Sequence, residues 1–241
     1  MQKNNYKDTP LWDSSLEIQE RIDYLLAQMT LDEKFCFLAT QTPAIERLGI
    51  EPFAIGGEAA HGVEARHDQD GTGKPDITTS FPQPIGMSAS WDTELIKEAG
   101  AVVGTQARIL FEKKQDKRLC RWAPTVDMLR DPRWGRTEEG YGEDPYLTGK
   151  MAGAYIRGMQ GETDGYLRIS AAVKHFYANN VEEGRVYKSS SIDPRNRMEY
   201  YWEPFRRTIA LAEADCLMTS YNAVNGFIII LEHIHRHLRL H

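Results

Sequence analysis

Short apolar runs in this chain end in side chains that could do chemistry. Phe53–Gly57 is followed by Glu58, Trp122–Met128 by the Asp131–Arg136 turn, and the run Ile169–Tyr177 carries Lys174 and His175 near its end. A last run, Cys216–Tyr221, holds Met218 and Tyr221. Together they supply a carboxylate, a guanidinium, an ammonium, an imidazole, a phenol and a thioether. Such a set suits a polyhydroxyl ligand. Carboxylates accept from hydroxyl pairs, Arg and Lys donate to ring and hydroxyl oxygens, and an aromatic or thioether wall packs on C–H faces.

Each group also has a structural reading. Asp131, Arg133 and Trp134 can lock the DPRWGR turn internally, which would leave Arg136 as the residue of that turn that meets a ligand. Asp127, inside the run, reads as a buried hydrogen-bonded acid. Glu138, Glu139 and Glu143 are helix N-terminal charges or partners for nearby arginines. Met218 is compatible with a core position. Glu58 and His61 follow Gly56–Gly57, so they are either site residues beside a sharp turn or a solvated Glu and a core-edge His.

The elements that must position these groups alternate between strand and helix. Ser14 with Glu17, and Thr30 with Glu33, have capping-box spacing ahead of two helices, the first with Ile18, Ile22, Leu25, Leu26 and Met29 on one face. Residues 68–80 read as a loop and Phe81–Ala89 as an extended run. Asp92 caps a helix to Ile109 with Leu95, Ala99, Val102 and Val103 inward, and Glu112–Arg118 is a solvated connection. Asp144–Pro145 opens a helix that ends at Gly161, and Asp193–Pro194 opens another that Pro204 must kink or split. Strands alternating with helices and ending in polar residues define a parallel α/β architecture. About five such strands are present, and a closed barrel needs eight.

Composition narrows the partners. A net charge of −6 argues against nucleic acid or an anionic membrane as partner, since phosphate binding needs a clustered positive surface. The N-terminal MQKNNYKDTPLW lacks a signal-peptide core and no run approaches a membrane span, so the expected location is cytoplasmic. Cys36, Cys120 and Cys216 are widely spaced and read as buried reduced thiols. The last segment, FIIILEHIHRHLRLH, carries four of the seven histidines. Its H-x-H-x-H array could hold a metal on one strand face, but with no carboxylate or cysteine beside it the expectation is no metal and no cofactor.

The motifs MTLDEK (29–34), GGEAAHG (56–62), APTVDMLRDPRWGRTEEGYGEDP (123–145), VKHF (173–176) and MTSYNAVNG (218–226) resemble the amino-terminal barrel of glycoside hydrolase family 3, which includes β-glucosidases and β-xylosidases. The resemblance implies roughly the first five to six units of a (β/α)8 TIM-type barrel over residues 1–226, with 227–241 an unrelated His-rich tail. It implies a pocket for a terminal non-reducing sugar in which Glu58 grips hydroxyls, Arg136 is the second arginine of the turn, and Lys174 and His175 are paired hydroxyl binders. Tyr221 falls near the family's nucleophile and Met218 lines the wall. Glu at 58, where many glucosidases have Asp, is similar to the β-xylosidase side. The loop YANNVEEGR (177–185) has no histidine, unlike the loop of the N-acetylglucosamine-cleaving subgroup.

Retaining glycosidases use two carboxyl groups about 5–5.5 Å apart. In the resembled family both come after the SYN..NG motif, and past Asp215 this chain has only Glu232. The expectation is therefore a sugar-binding shell without either catalytic carboxylate, from a truncated or frame-shifted gene or from a fragment completed by a partner. The substrate would be an oligosaccharide or aryl β-glycoside, and open sheet edges would favour self-association. A non-catalytic sugar-binding or interaction module is the competing reading.

Overall fold

In the computed structural model the described residues are 6–64, 76–114, 118–163 and 165–229, without the side chains of 114, 162 and 163. Residues 68–75 of the loop expected at 68–80 and the His-rich residues 230–241, with Glu232, lie outside them. The chain divides into two units, Met1–Gly56 and Gly57–His241.

In the first unit, α1 (Ile18–Gln28) and α2 (Leu31–Cys36) follow two 3-10 turns. The Thr30–Glu33 capping box forms with both reciprocal bonds. The Ser14–Glu17 box does not. Asp13 takes the Ser15 amide and hydroxyl into its own turn, and α1 starts at Ile18 without a side-chain cap. Met29 packs with Ile45 and Leu48, whereas Ile18, Ile22 and Leu26 of the expected apolar face stay exposed. A short β1 (Gln41–Thr42) pairs antiparallel with the start of β2 (Phe53–Glu58), whose last two residues begin the second unit.

The second unit is built on β3 (Arg118–Trp122), β6 (Ser170–Phe176) and β8 (Cys216–Thr219), parallel and adjacent in that order. The helices are α3 (Pro84–Ser88), α4 (Thr93–Lys114), α5 (Pro145–Gln160), α6 (Pro194–Asn196) and α7 (Glu203–Ala212). Between β3 and β6 runs α5, and between β6 and β8 runs α7, which is the β/α alternation of a partial TIM-type barrel. Two small sheets complete the unit. One is the ribbon β4 (Glu162–Thr163) with β5 (Tyr166–Leu167), and the other orders β10 (Phe227–Ile228), β9 (Ala223–Val224) and β7 (Ser189–Ser190). Asn225 and Gly226, both at positive φ (51° and 83°), form the two-residue turn that joins β9 to β10.

Several boundaries differ from the sequence reading. The strand expected at Trp122–Met128 is β3, ending at Trp122, because Pro124 has no N–H to give to a ladder. The following residues still run beside β6, with Lys174 N donating to Pro124 O at 3.0 Å and Val126 N to Lys174 O at 2.8 Å. The expected extended run at Phe81–Ala89 contains α3, started by Pro84 at its first turn. The connection expected at Glu112–Arg118 is shorter, since α4 runs to Lys114 and β3 begins at Arg118. The inner face of α4 is Ile96, Ala99, Val103 and Ala107, and Leu95 and Val102 point outward. Pro204 does split its helix, sitting in the first turn of α7 after a π-helical turn at Arg197–Tyr201. Of the three thiols, all free, Cys120 is buried while Cys36 and Cys216 are only half-buried.

Glycines set how closely α4 and α5 approach. A Cβ on Gly158 would lie 2.1 Å from Lys97 O, one on Gly100 2.3 Å from Tyr155 O, and one on Gly104 2.2 Å from Met159 O. The helices thus meet backbone to backbone, and Val103, Tyr155, Ile156 and Met159 close the core around that crossing. Gly158→Ala is expected to cost about 1–3 kcal/mol by overpacking, at about 2–4 °C of Tm per kcal/mol for a chain of this size. Gly135→Ala, with no atom within 4 Å of the added carbon, is the control and should leave the melting midpoint where it is.

Candidate functional site

The polar groups at the C-terminal ends of β2 and β6 meet in one ion pair, Glu58 with Lys174, beside a buried hydrogen-bonded pair, Asp127 with His175. Lys174 is almost fully buried, and its ammonium pairs with the Glu58 carboxylate, which is itself 41% exposed. One residue on, His175 is buried and its Nδ1 lies 2.8 Å from Asp127 Oδ2, which also accepts from the His175 amide at 3.1 Å. The register of β6 against β8 shifts between Val173 and Phe176. That irregularity falls on Lys174 and His175, just before the end of the strand.

Arg136 closes the network. It stands just before a 3-10 turn, Thr137–Glu139, with Nε donating to Glu139 Oε1 at 2.8 Å and Nη2 to Oε2 at 2.6 Å. Its Nη1 lies 3.2 Å from His175 Nε2. A carboxylate only accepts and a guanidinium only donates, so the direction of every bond is set. Asp127 receives the Nδ1 proton and Arg136 donates to the Nε2 lone pair, which fixes a neutral imidazole in one tautomer. Asp127 is thus the buried hydrogen-bonded acid that its place in the chain suggested.

The rest of the DPRWGR turn is held partly by itself and partly by Glu182. Asp131 accepts from the Arg133 amide at 2.9 Å and from Nη2 at 2.6 Å, and the Arg133 hydrogen bonds keep the Asp131 carboxyl well below the usual carboxylate range. Trp134 is buried, with Nε1 donating to Glu182 Oε1 at 3.2 Å.

Burial works to raise the Glu139 pKa, but hydrogen bonding and charge from Arg136 hold it below 4.5. A carboxyl depressed in the fold adds stability above its unfolded pKa, and loses it as pH falls through the folded one. Melting midpoints are therefore expected to fall more steeply below about pH 4.5 in the native chain than in Glu139→Gln, which has no such proton to bind. Parallel curves for the two chains would remove Glu139 from the balance.

Glu58, Arg136 and Glu139 stand on the wall of an open cavity of about 860 Å³, together with His61 and Arg185. His61 Nδ1 lies 2.9 Å from Phe81 O, and since a carbonyl only accepts, that nitrogen carries the proton. Of the residues singled out from sequence, Glu58 and Arg136 line the cavity, and Lys174 and His175 are buried behind them. Tyr221 is half-exposed with the Arg185 guanidinium 5.0 Å over its ring. Met218 is half-buried on β8 and is not on the cavity wall. Glu139 and Arg185 are the additions. Glu139 had two open readings, and the E-x-x-R spacing of Glu182 and Arg185, now an ion pair at 2.9 Å, was the only local signal for the second. Among the described residues no group of three or more His, Cys, Asp or Glu side chains could hold a metal ion, and no helix is long and apolar enough to cross a membrane.

Comparison with known proteins bears on this arrangement. The profile of the Glycosyl hydrolase family 3 N terminal domain matches residues 39–234. The probable beta-D-xylosidase 7 of Arabidopsis thaliana is 36% identical over 225 residues, covering 88% of this chain. The probable exo-1,4-beta-xylosidase bxlB of Aspergillus terreus is 37% identical over 222 residues, covering 89%. The chain spans 29% of the length of each. Among solved structures, the exo-beta-xylosidase XlnD in complex with a xylobiose aziridine probe superposes with a TM-score of 0.84 at 33% identity, over 92% of this chain and 29% of its own. The beta-glucosidase from Kluyveromyces marxianus in complex with glucose gives 0.74 at 32% identity, over 86% and 24%. The α/β fold with its partial barrel is that of these proteins, and the chain belongs to glycosyl hydrolase family 3.

Proposed function

We propose that this chain supplies the sugar-gripping shell of a retaining β-glycosidase acting on terminal non-reducing β-D-xylosyl or β-D-glucosyl residues. In this reading the nucleophilic Asp and the acid/base Glu are not among its 241 residues. One observation carries it: the Glu58 carboxylate lies on the cavity wall, paired from behind by the buried Lys174 ammonium. That pairing fixes Glu58 in place, and a carboxylate can accept from two adjacent hydroxyls of one sugar ring. Arg136, fixed by Glu139, brings a rigid fork of donors to the same wall. The xylosidases among the relatives, and the glutamate at 58, favour a pentose over a hexose.

The test is calorimetric titration of xylose and glucose into the 241-residue chain, followed by an assay with aryl β-xyloside and β-glucoside. Saturable binding with Kd on the order of millimolar is expected for a ring of about ten heavy atoms, tighter for xylose, and lost in Glu58→Ala. No saturation by either sugar, or an unchanged Kd in Glu58→Ala, sinks the proposal. Binding without turnover is the expected behaviour of the chain by itself, and turnover would show that a catalytic pair lies within it.

A further inference from the structure

We infer that a second, smaller cavity binds a hydrogen-bearing oxyanion of the phosphate class, either free or carried on a sugar. It holds about 240 Å³ and lies between the loop after β6 and the strand β7, with Arg130, Arg185 and Lys188 at its rim and Asn179, Asn180 and Asn222 in its wall. A water takes about 30 Å³ of liquid, so a tetrahedral ion and its first waters fit.

Charge is the first argument. The large cavity is lined by more carboxylates than cations, Glu58, Glu138 and Glu139 among them. Among the described residues the small one has no carboxylate in its wall and three cationic side chains. Arg185 is partly neutralised by Glu182 at 2.9 Å. Arg130 is stacked 5.7 Å from the Tyr201 ring centre, and Lys188 has no carboxylate partner among the described residues. Two positive charges therefore face a site that brings no compensating anion of its own.

Orphaned amides are the second. Asn179 is 1% exposed, and neither its carboxamide nitrogen nor its oxygen has a hydrogen-bond partner. Asn180 donates to Met128 O, and Asn222 donates to Ala223 O and Tyr177 O, but both carboxamide oxygens are without partners. Buried groups of this kind are nearly always satisfied, so three in one wall call for a polar occupant. The occupant must accept from the Asn179 N–H group and donate to carboxamide oxygens, all beside cations. Hydrogen phosphate has both unprotonated oxygens and a P–OH, whereas sulfate at neutral pH has no proton to donate. Arg185 lines both cavities, so a phosphate borne on a sugar could stand on the far side of that wall.

The experiment is calorimetric titration of inorganic phosphate, sulfate, and a hexose phosphate into the 241-residue chain near neutral pH and at constant ionic strength. One saturable phosphate site is expected, with sulfate weaker by several-fold. Lys188→Ala and Arg130→Ala should each weaken phosphate by about tenfold, since each removes a charge-assisted bond, while leaving xylose binding as it is. A hexose phosphate that binds more tightly than inorganic phosphate, and loses that advantage in Lys188→Ala, identifies the ion as one carried on a sugar. Saturation by inorganic phosphate with no such gain identifies a free ion. Absence of saturation by any of the three, or affinities indifferent to both substitutions, overturns the site and leaves a water-filled cavity. Xylose titration reads the larger cavity independently, so either conclusion can fail without the other.

Discussion

Arg136→Ala is expected to weaken sugar binding by at least about 100-fold, an effect second only to the loss expected in Glu58→Ala. The guanidinium makes two charge-assisted bonds to Glu139 and one contact with His175 Nε2, and it lines the cavity as well. Its removal takes away donors for the sugar, leaves the half-buried Glu139 carboxylate with only a 3.4 Å bond from the Thr125 hydroxyl, and leaves a buried imidazole nitrogen without its partner. Unsatisfied buried groups cost about 1–3 kcal/mol each, and about 1.4 kcal/mol is tenfold in affinity. Arg136→Lys separates the two losses. It keeps a charge but not the planar fork, so the two parallel bonds to Glu139 are lost and affinity should recover only in part. The pKa of Glu139 is a second readout. Burial already works to raise it and Arg136 holds it down, so in Arg136→Ala it should move upward, visible in a pH titration of its side-chain carbonyl by NMR. Retained affinity in Arg136→Ala would mean that the arginine only braces the turn.

Asp127→Ala is expected to cost about 3–5 kcal/mol of stability, because it strips acceptors from a buried imidazole N–H and a buried amide at once. Both bonds fall on one oxygen, Asp127 Oδ2, and the other oxygen has no hydrogen-bond partner among the described residues. Asp127→Asn can therefore place its carboxamide oxygen where Oδ2 stands, keeping both bonds and losing only the charge. The pair of variants distinguishes a hydrogen-bonding role from an electrostatic one. Near-native stability of the asparagine chain beside a poorly folded alanine chain, read by urea denaturation, marks Asp127 as an acceptor first. Nitrogen shifts of His175 supply the other half, since the tautomer with the proton on Nδ1 should persist in Asp127→Asn and lose its preference where Asp127 is absent. Equal stability of the native and alanine chains would remove the tautomer argument with it.

Much of the local structure follows from residues close together in the chain. The Thr30–Glu33 box, Asp144 and Pro145 at the start of α5, and Asp193 and Pro194 before α6 all formed as their spacing implies, because a cap needs only residues two or three apart. Asp131 with Arg133 is of the same kind. Where a neighbour competed, local reading failed: Asp13 displaced Ser14, and Pro124 ended β3 early. The inner face of α4 also escaped periodicity, since it is chosen by the glycines that let α5 come to backbone contact.

The order of the motifs, their residue types and the expectation of a partial parallel barrel were present in the linear chain, since apolar runs ending in polar groups place those groups at one end of the strands. Which of those groups faces a ligand was decided only by folding. Glu58 and Lys174 are separated by 116 residues and pair across the ends of β2 and β6. Burial makes Lys174 the support and Glu58 the surface. Asp127 and His175, 48 residues apart, are joined in the same way, and Arg136 is left at the cavity because Glu139, three residues on, holds it there. Spacing can say that such charges are available, but desolvation settles which are spent on one another, and desolvation is a property of the packed molecule.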